Sequence, residues 1–127
     1  MRIGELAQAT GVSIRSLRYY EQQGLLSSSR EPNGYRTYSP FAVEQVRTIQ
    51  LYIQLGLSTD EIAGFLQCVL LNKESFCRQV LPVYRNKLEE IDRQIEQLQQ
   101  IKMNLEERIA FIQAENLITQ GGTYDGD

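Results

Sequence analysis

The chain has 127 residues, with 13 Lys/Arg against 16 Asp/Glu, no histidine and a formal net charge of −3. Hydrophobic residues make up 42% and aromatics 9%, which suits one packed domain with an appendage and excludes wholesale disorder. No apolar run nears the roughly 18 residues that cross a bilayer, and MRIGELAQATG lacks the apolar stretch of a secretory signal, so a cytoplasmic protein without a membrane partner is expected.

The charge is unevenly spread. Residues 1–47 carry six Arg against four Glu, whereas the rest carries seven Lys/Arg against twelve Asp/Glu. Screening limits charge effects to about 10 Å at ordinary salt, so a basic N-terminal half can meet a polyanion while an acidic C-terminal half stays away from it.

Ile3, Leu6 and Ala7 share a helical face that should stop near Gly11. Ser13 reads as the N-cap of a second helix with Leu17 inward, Arg15, Arg18 and Tyr19 partly outward, and Gly24 as its left-handed stop. Two short helices joined by a tight turn make a helix-turn-helix, with Leu25-Leu26 packed beneath. Asn33-Gly34 then signals a two-residue hairpin, because both types accept positive φ, and Arg30 and Tyr35–Tyr38 flank it as a wing. Ser39 as cap and Pro40 as first helical residue open a third helix, whose apolar face is expected to include Val43, Val46, Ile49, Ile53 and Leu55–Leu57. Ser58-Thr59-Asp60-Glu61 is a capping box before a fourth helix carrying Ile62, Phe65 and Leu66.

From Leu81 the pattern changes. Leu81, Tyr84, Leu88, Ile91, Ile95, Leu98, Leu105, Ile109 and Ile112 alternate spacings of three and four, with Lys102 the one interruption. That is a coiled-coil seam for dimerisation, too long to bury its stripe on so small a domain, and a second copy is its simplest partner. Pro82 either opens this helix or kinks an earlier turn. The expected organisation is a DNA-binding winged domain over 1–71, a hinge over 72–80, a dimerisation helix over 81–117 and a flexible tail over 118–127.

The segment SIRSLRYYEQQGLLSSSREPNGYRTY, residues 13–38, interleaves Arg15, Arg18, Arg30 and Arg36 with Tyr19, Tyr20, Tyr35 and Tyr38. Cationic forks among aromatic rings suit phosphate gripping and base-edge contact on double-stranded DNA. Without histidine, a phosphate-binding glycine loop or a paired-carboxylate pocket, an enzyme is not expected, and neither is a cofactor.

IGELAQATGVSIRSLRYYEQQGLL, then NGYRTYS, then LYIQLGLSTDEI resemble, in order and spacing over roughly residues 1–70, the DNA-binding half of the mercury-resistance-regulator (MerR) family. A long helix follows where that family has its dimerisation helix. The resemblance implies a homodimeric winged-helix transcription factor on a palindromic operator, its long helices paired antiparallel. In this family the operator commonly lies in a promoter whose elements are spaced too far apart. The effector-bound dimer bends and untwists that DNA for RNA polymerase, a use of indirect readout. Carried across by position, Ser13, Arg15 and Arg18 would reach the major groove. Tyr19 and Tyr20 would lie on the outer side of the helix, one on a phosphate and one packed. Tyr35, Arg36 and Tyr38 would grip the backbone, and Ser58 and Thr59 would meet a further phosphate.

Cys77 lies where metal-sensing members of the family place a ligand cysteine, but ENLITQGGTYDGD holds none of the further cysteines that complete such a site. Metal sensing, capture of an oxidant or electrophile, and a structural thiol all remain readings of Cys77. The structural one is preferred, because one thiolate leaves coordination unfilled. Cys68, within FLQCVLL, reads as an ordinary buried thiol. Lys102 reads as a snorkelling or register-fixing residue, and Glu89-Glu90 and Glu106-Glu107 as solvated charge. The rival function is a coiled-coil architectural protein that anchors DNA without effector-controlled activation, told apart by whether its sites lie in promoters.

Overall fold

A computed structural model describes residues 1–120 of the chain. The elements run α1 (Ile3–Thr10), α2 (Ile14–Gln22), β1 (Ser29–Arg30), β2 (Arg36–Thr37), α3 (Phe41–Gln54), α4 (Thr59–Ala63), α5 (Leu66–Leu71), a 3₁₀ turn at Glu74–Phe76, and α6 (Val80–Gln120). The chain divides into two compact units, Met1–Lys87 and the stretch from Leu88 onward.

In the first unit the helix-turn-helix forms as its local signals dictate. α1 ends at Gly11, and Ser13 caps α2 by accepting the Ser16 N–H at 3.1 Å. The stop of α2 is a Schellman arrangement: Leu25 N–H donates to the Tyr20 carbonyl at 2.9 Å and Gly24 N–H to Glu21 at 3.1 Å. Gly24 sits at φ 78°, which a side chain would strain. Leu6, Leu17, Val46, Ile49 and Ile62 are fully buried, so the core joins both helices of the motif to α3 and α4. Leu25 and Leu26, just after α2, are buried in the same core.

The wing is a two-stranded antiparallel hairpin with Ser29 opposite Thr37 and Arg30 opposite Arg36. Its turn differs from the expected two-residue form. Gly34 N–H donates to the Glu31 carbonyl at 2.8 Å, and Glu31 N–H to Tyr35 at 2.8 Å, so Pro32-Asn33-Gly34 forms the loop. Pro32 presets φ for the first central position of a type I turn, Asn33 keeps negative φ, and Gly34 alone goes left-handed at φ 90°.

α3 also departs from expectation at both ends. Its first turn is closed by backbone, Ala42 N–H to the Ser39 carbonyl at 2.9 Å, and not by a Ser39 side-chain cap. Its buried face is Ala42, Val46, Ile49 and Tyr52, while Ile53 and Leu55 are exposed and Val43 is half-buried. Tyr52 wins the inward position because its ring meets Phe65 edge-on at 4.9 Å and its hydroxyl reaches Glu74 at 2.8 Å. The Ser58–Glu61 capping box forms as expected.

α6 is one continuous helix of 41 residues, roughly 60 Å by its rise. Pro82 stands in its first turn, where a missing N–H forfeits no intrahelical bond. In the second unit Leu88, Ile95, Leu98, Leu105, Ile109 and Ile112 are exposed and Ile91 is half-buried. Ile101, Met103, Phe111, Leu117 and Ile118, outside the seam read from spacing, are exposed too. The tail residues 121–127 lie outside the described residues. No helix among the described residues is long and apolar enough to cross a membrane.

Candidate nucleic-acid interface

Helical spacing puts Arg15, Arg18, Tyr19 and Gln22 on the exposed side of α2, opposite Leu17 and Tyr20. The adjacent tyrosines divide sharply: Tyr19 is 46% exposed and Tyr20 only 8%. Burial pushes the Tyr20 hydroxyl's pKa upward, as expected for a phenol kept neutral in a core. Ser13 is exposed at the start of this helix with its hydroxyl engaged in the cap.

Beside α2 the fold gathers arginines from three separate segments. Arg2, Arg18, Arg30 and Arg36, with Tyr35 and the edge of Tyr38, line a concavity of about 540 Å³. Arg2 arrives there because the Tyr38 N–H donates to the Met1 carbonyl at 2.6 Å, laying the first residues along the wing. Its guanidinium then stacks 4.1 Å over the Tyr35 ring and sits 3.9 Å from Glu31. Arg30 and Arg36 face each other across the hairpin, a like-charge pair that an anion between them would relieve. Arg18 and Arg36 also share an adjoining depression with Glu21 and Gln22. Neither Arg15 nor Arg18 has an acidic partner among the described residues.

Glu21 holds the wing on α2. Its carboxylate accepts from the Ser28 hydroxyl at 2.6 Å and the Tyr38 hydroxyl at 2.6 Å, and lies 3.6 Å from Arg36. Burial alone would raise its pKa, but those two hydrogen bonds and the charges of Arg36 and Arg30 outweigh burial and hold it below the usual value. Tyr38 is correspondingly buried, 2% exposed, and its hydroxyl is raised by burial and then by Glu21. The structure thus places Tyr38 as a core strut of the wing, with only its edge in the concavity.

A depressed carboxylate stabilises the fold above its unfolded pKa near 4.5, and that contribution is lost as pH falls through the lower folded value. Glu21→Gln is therefore expected to lower the melting temperature at neutral pH and to flatten its decline below pH 4.5. Parallel melting curves for the two proteins across that acid window would count against this role.

The remaining residues lie elsewhere. Ser58 is exposed at the start of α4, and Thr59 is half-buried with its hydroxyl 3.4 Å from Gln23 Oε1, at the end of α2. Cys77 is buried at 4% exposure, its thiol 3.5 Å from Gln79 Oε1. Among the described residues no group of three or more His, Cys, Asp or Glu is placed to hold a metal ion. Sequence reasoning missed Arg2 and gave Arg30 no contact of its own. Arg2 carries no local signal, because its position depends on the backbone contact between Met1 and Tyr38, 37 positions apart.

A family model described as MerR HTH family regulatory protein matches residues 1–68, and one described as MerR, DNA binding matches residues 43–113. The HTH-type transcriptional regulator HmrR of Rhizobium leguminosarum bv. viciae is 35% identical over 84% of this chain and 81% of its own length. The mercuric resistance operon regulatory protein of Bacillus cereus is 39% identical over 84% of this chain and 83% of its own. The transcription regulator PbrR691 of Ralstonia metallidurans CH34, solved with lead(II), shares the fold with a TM-score of 0.74 at 23% identity, covering 84% of this chain and 83% of that one. With both family models in register with the helix-turn-helix, the wing and the long helix, the chain belongs to the MerR family of helix-turn-helix regulatory proteins.

Proposed function

We propose that this DNA-binding transcriptional regulator acts as a homodimer on a palindromic promoter operator, activating or repressing transcription by distorting the DNA. The observation that carries this reading is the convergence of Arg2, Arg18, Arg30 and Arg36 around Tyr35, next to the exposed face of α2. Such a cluster is unfavourable by itself and is stabilised by an anionic backbone threaded between its members. Arg15, Arg18 and Tyr19 take the recognition face, Ser13 stands at its N-terminal end, and Arg36 and Tyr35 take the backbone beside it. Ser58 and Thr59 at the start of α4 add a phosphate contact.

Twofold symmetry comes from α6, whose exposed apolar stripe supplies a self-complementary surface. A dimer pairing two such wings grips the duplex on both sides of its centre, and bending then depends on bases the protein does not touch. RNA polymerase is the partner that reads the altered promoter. Sedimentation of the chain with a promoter fragment, and gel mobility of circularly permuted fragments, test this together. Two chains per duplex and position-dependent mobility are expected; one chain per duplex or uniform mobility would overturn the reading.

A further inference from the structure

The arginines around the wing do not all stand on it. Arg18 comes from α2, and Arg30 and Arg36 from the two strands, but Arg2 precedes α1 and is held by backbone on both sides. Met1 and Tyr38 exchange two hydrogen bonds, the two-way pattern of an antiparallel pair. Tyr38 N–H donates to the Met1 carbonyl at 2.6 Å, and the Met1 nitrogen to the Tyr38 carbonyl at 2.8 Å. Arg2 N–H in turn donates to Glu5 Oε1 at 2.9 Å. The Arg2 backbone is thereby pinned, and only its side chain can change partners.

That side chain is 54% exposed and has two neighbours. The guanidinium sits 4.1 Å over the Tyr35 ring, which fixes its position and leaves donors for other partners. Glu31 Oε2 lies 3.9 Å from its Nη2, beyond hydrogen-bond length, so this carboxylate offsets the charge of Arg2 only weakly. The wing turn fixes the Glu31 backbone, its N–H on the Tyr35 carbonyl and its carbonyl on the Gly34 N–H, both at 2.8 Å. Among the described residues no acidic side chain lines the concavity that Arg2 shares with Arg18, Arg30 and Arg36.

We propose that Arg2 is a DNA-phosphate ligand and that Glu31 is its built-in competitor, so that a phosphate entering the concavity takes Arg2 from Glu31. A phosphate accepts short charge-assisted bonds from two guanidinium donors at once, whereas Glu31 at 3.9 Å accepts none. The exchange favours DNA, but it forfeits the Glu31 contact and leaves a carboxylate beside the phosphate. Glu31 thereby weakens the sequence-independent part of binding, on which discrimination between bases does not depend. The inference rests on the DNA-binding reading and needs neither an operator nor a dimer.

Affinity of the full-length chain for a mixed-sequence DNA duplex, measured by fluorescence anisotropy over a series of salt concentrations, tests it. Arg2→Ala is expected to weaken binding about five-fold and to lower the salt slope by roughly one per chain, and Arg2→Lys to restore the slope. Glu31→Gln should tighten binding roughly two- to five-fold, whereas Glu106→Gln, which removes an exposed charge on α6, should not. Most of the Glu31→Gln gain should vanish in the Arg2→Ala background. Arg2→Ala at wild-type affinity and slope overturns the proposal and leaves the DNA-binding reading intact. A Glu31→Gln gain that is absent, or that persists in full without Arg2, overturns the competition. A wild type that binds no duplex overturns both the proposal and the reading beneath it.

Discussion

Charging the seam of α6 with Ile91→Asp and Ile95→Asp together is expected to convert dimers into monomers. In a symmetric pair the change strikes four isoleucines. Burying one such side chain contributes about 1.5–3 kcal/mol, so losing four removes roughly 6–12 kcal/mol. A micromolar to nanomolar dimer is held by about 8–12 kcal/mol. The substitution therefore removes most or all of the association energy, before counting the cost of four carboxylates in an apolar seam. Met1–Lys87, which has its own core of Leu6, Leu17, Val46 and Ile49, should stay folded. Sedimentation should show a single chain with retained helical circular dichroism, and operator affinity should fall by orders of magnitude because each half-site is then bound alone. A persistent dimer would mean that the exposed stripe pairs through other residues, Ile101, Met103 and Phe111 being the alternatives on the same helix.

The second large effect is expected at Arg18, which lines both depressions between α2 and the wing. Arg18→Ala should weaken operator binding by about 1–3 kcal/mol, between five-fold and more than a hundred-fold. What changes with it distinguishes the contact. A base-reading guanidinium leaves a relaxed preference at one position of the operator, and Arg18→Lys does not restore it, because an ammonium lacks the planar two-donor fork. A phosphate-gripping one weakens all sequences alike, reduces the salt slope by roughly one and is largely rescued by lysine. Unchanged affinity and slope would remove Arg18 from the interface. Arg36→Ala should behave as the phosphate case, since its guanidinium is already turned toward Glu21 at 3.6 Å.

Much of the fold was legible because its signals are local. Gly11 and Ser13 bound the turn between α1 and α2, and the Ser58–Glu61 box opens α4, each through bonds made within four residues. The long helix α6 was legible because its apolar period repeats often enough to outweigh Lys102. The misreadings arose where two local preferences compete. In the wing Asn33-Gly34 favours a two-residue turn, but Pro32 restricts φ one step earlier and shifts the turn back by a residue. In α3 hydrophobicity chose Ile53, whereas the core takes Tyr52, whose hydroxyl finds a carboxylate far along the chain.

The interface was legible as a composition, not as an arrangement. Alternating arginine and tyrosine over residues 13–38 announced a basic surface with one of Tyr19 and Tyr20 packed, but not that Tyr38 also holds it up from within. Nor could spacing show that Arg2 stacks on Tyr35. That stack depends on backbone hydrogen bonds between Met1 and Tyr38 that composition does not encode.

The most direct measurement is selection of bound duplexes from a random double-stranded DNA pool with the full-length chain. A symmetric dimer presenting two α2 helices predicts enrichment of one inverted repeat with fixed half-site spacing, bound by two chains. Enrichment of a single unrepeated element, or no enrichment above the non-specific background, would contradict it.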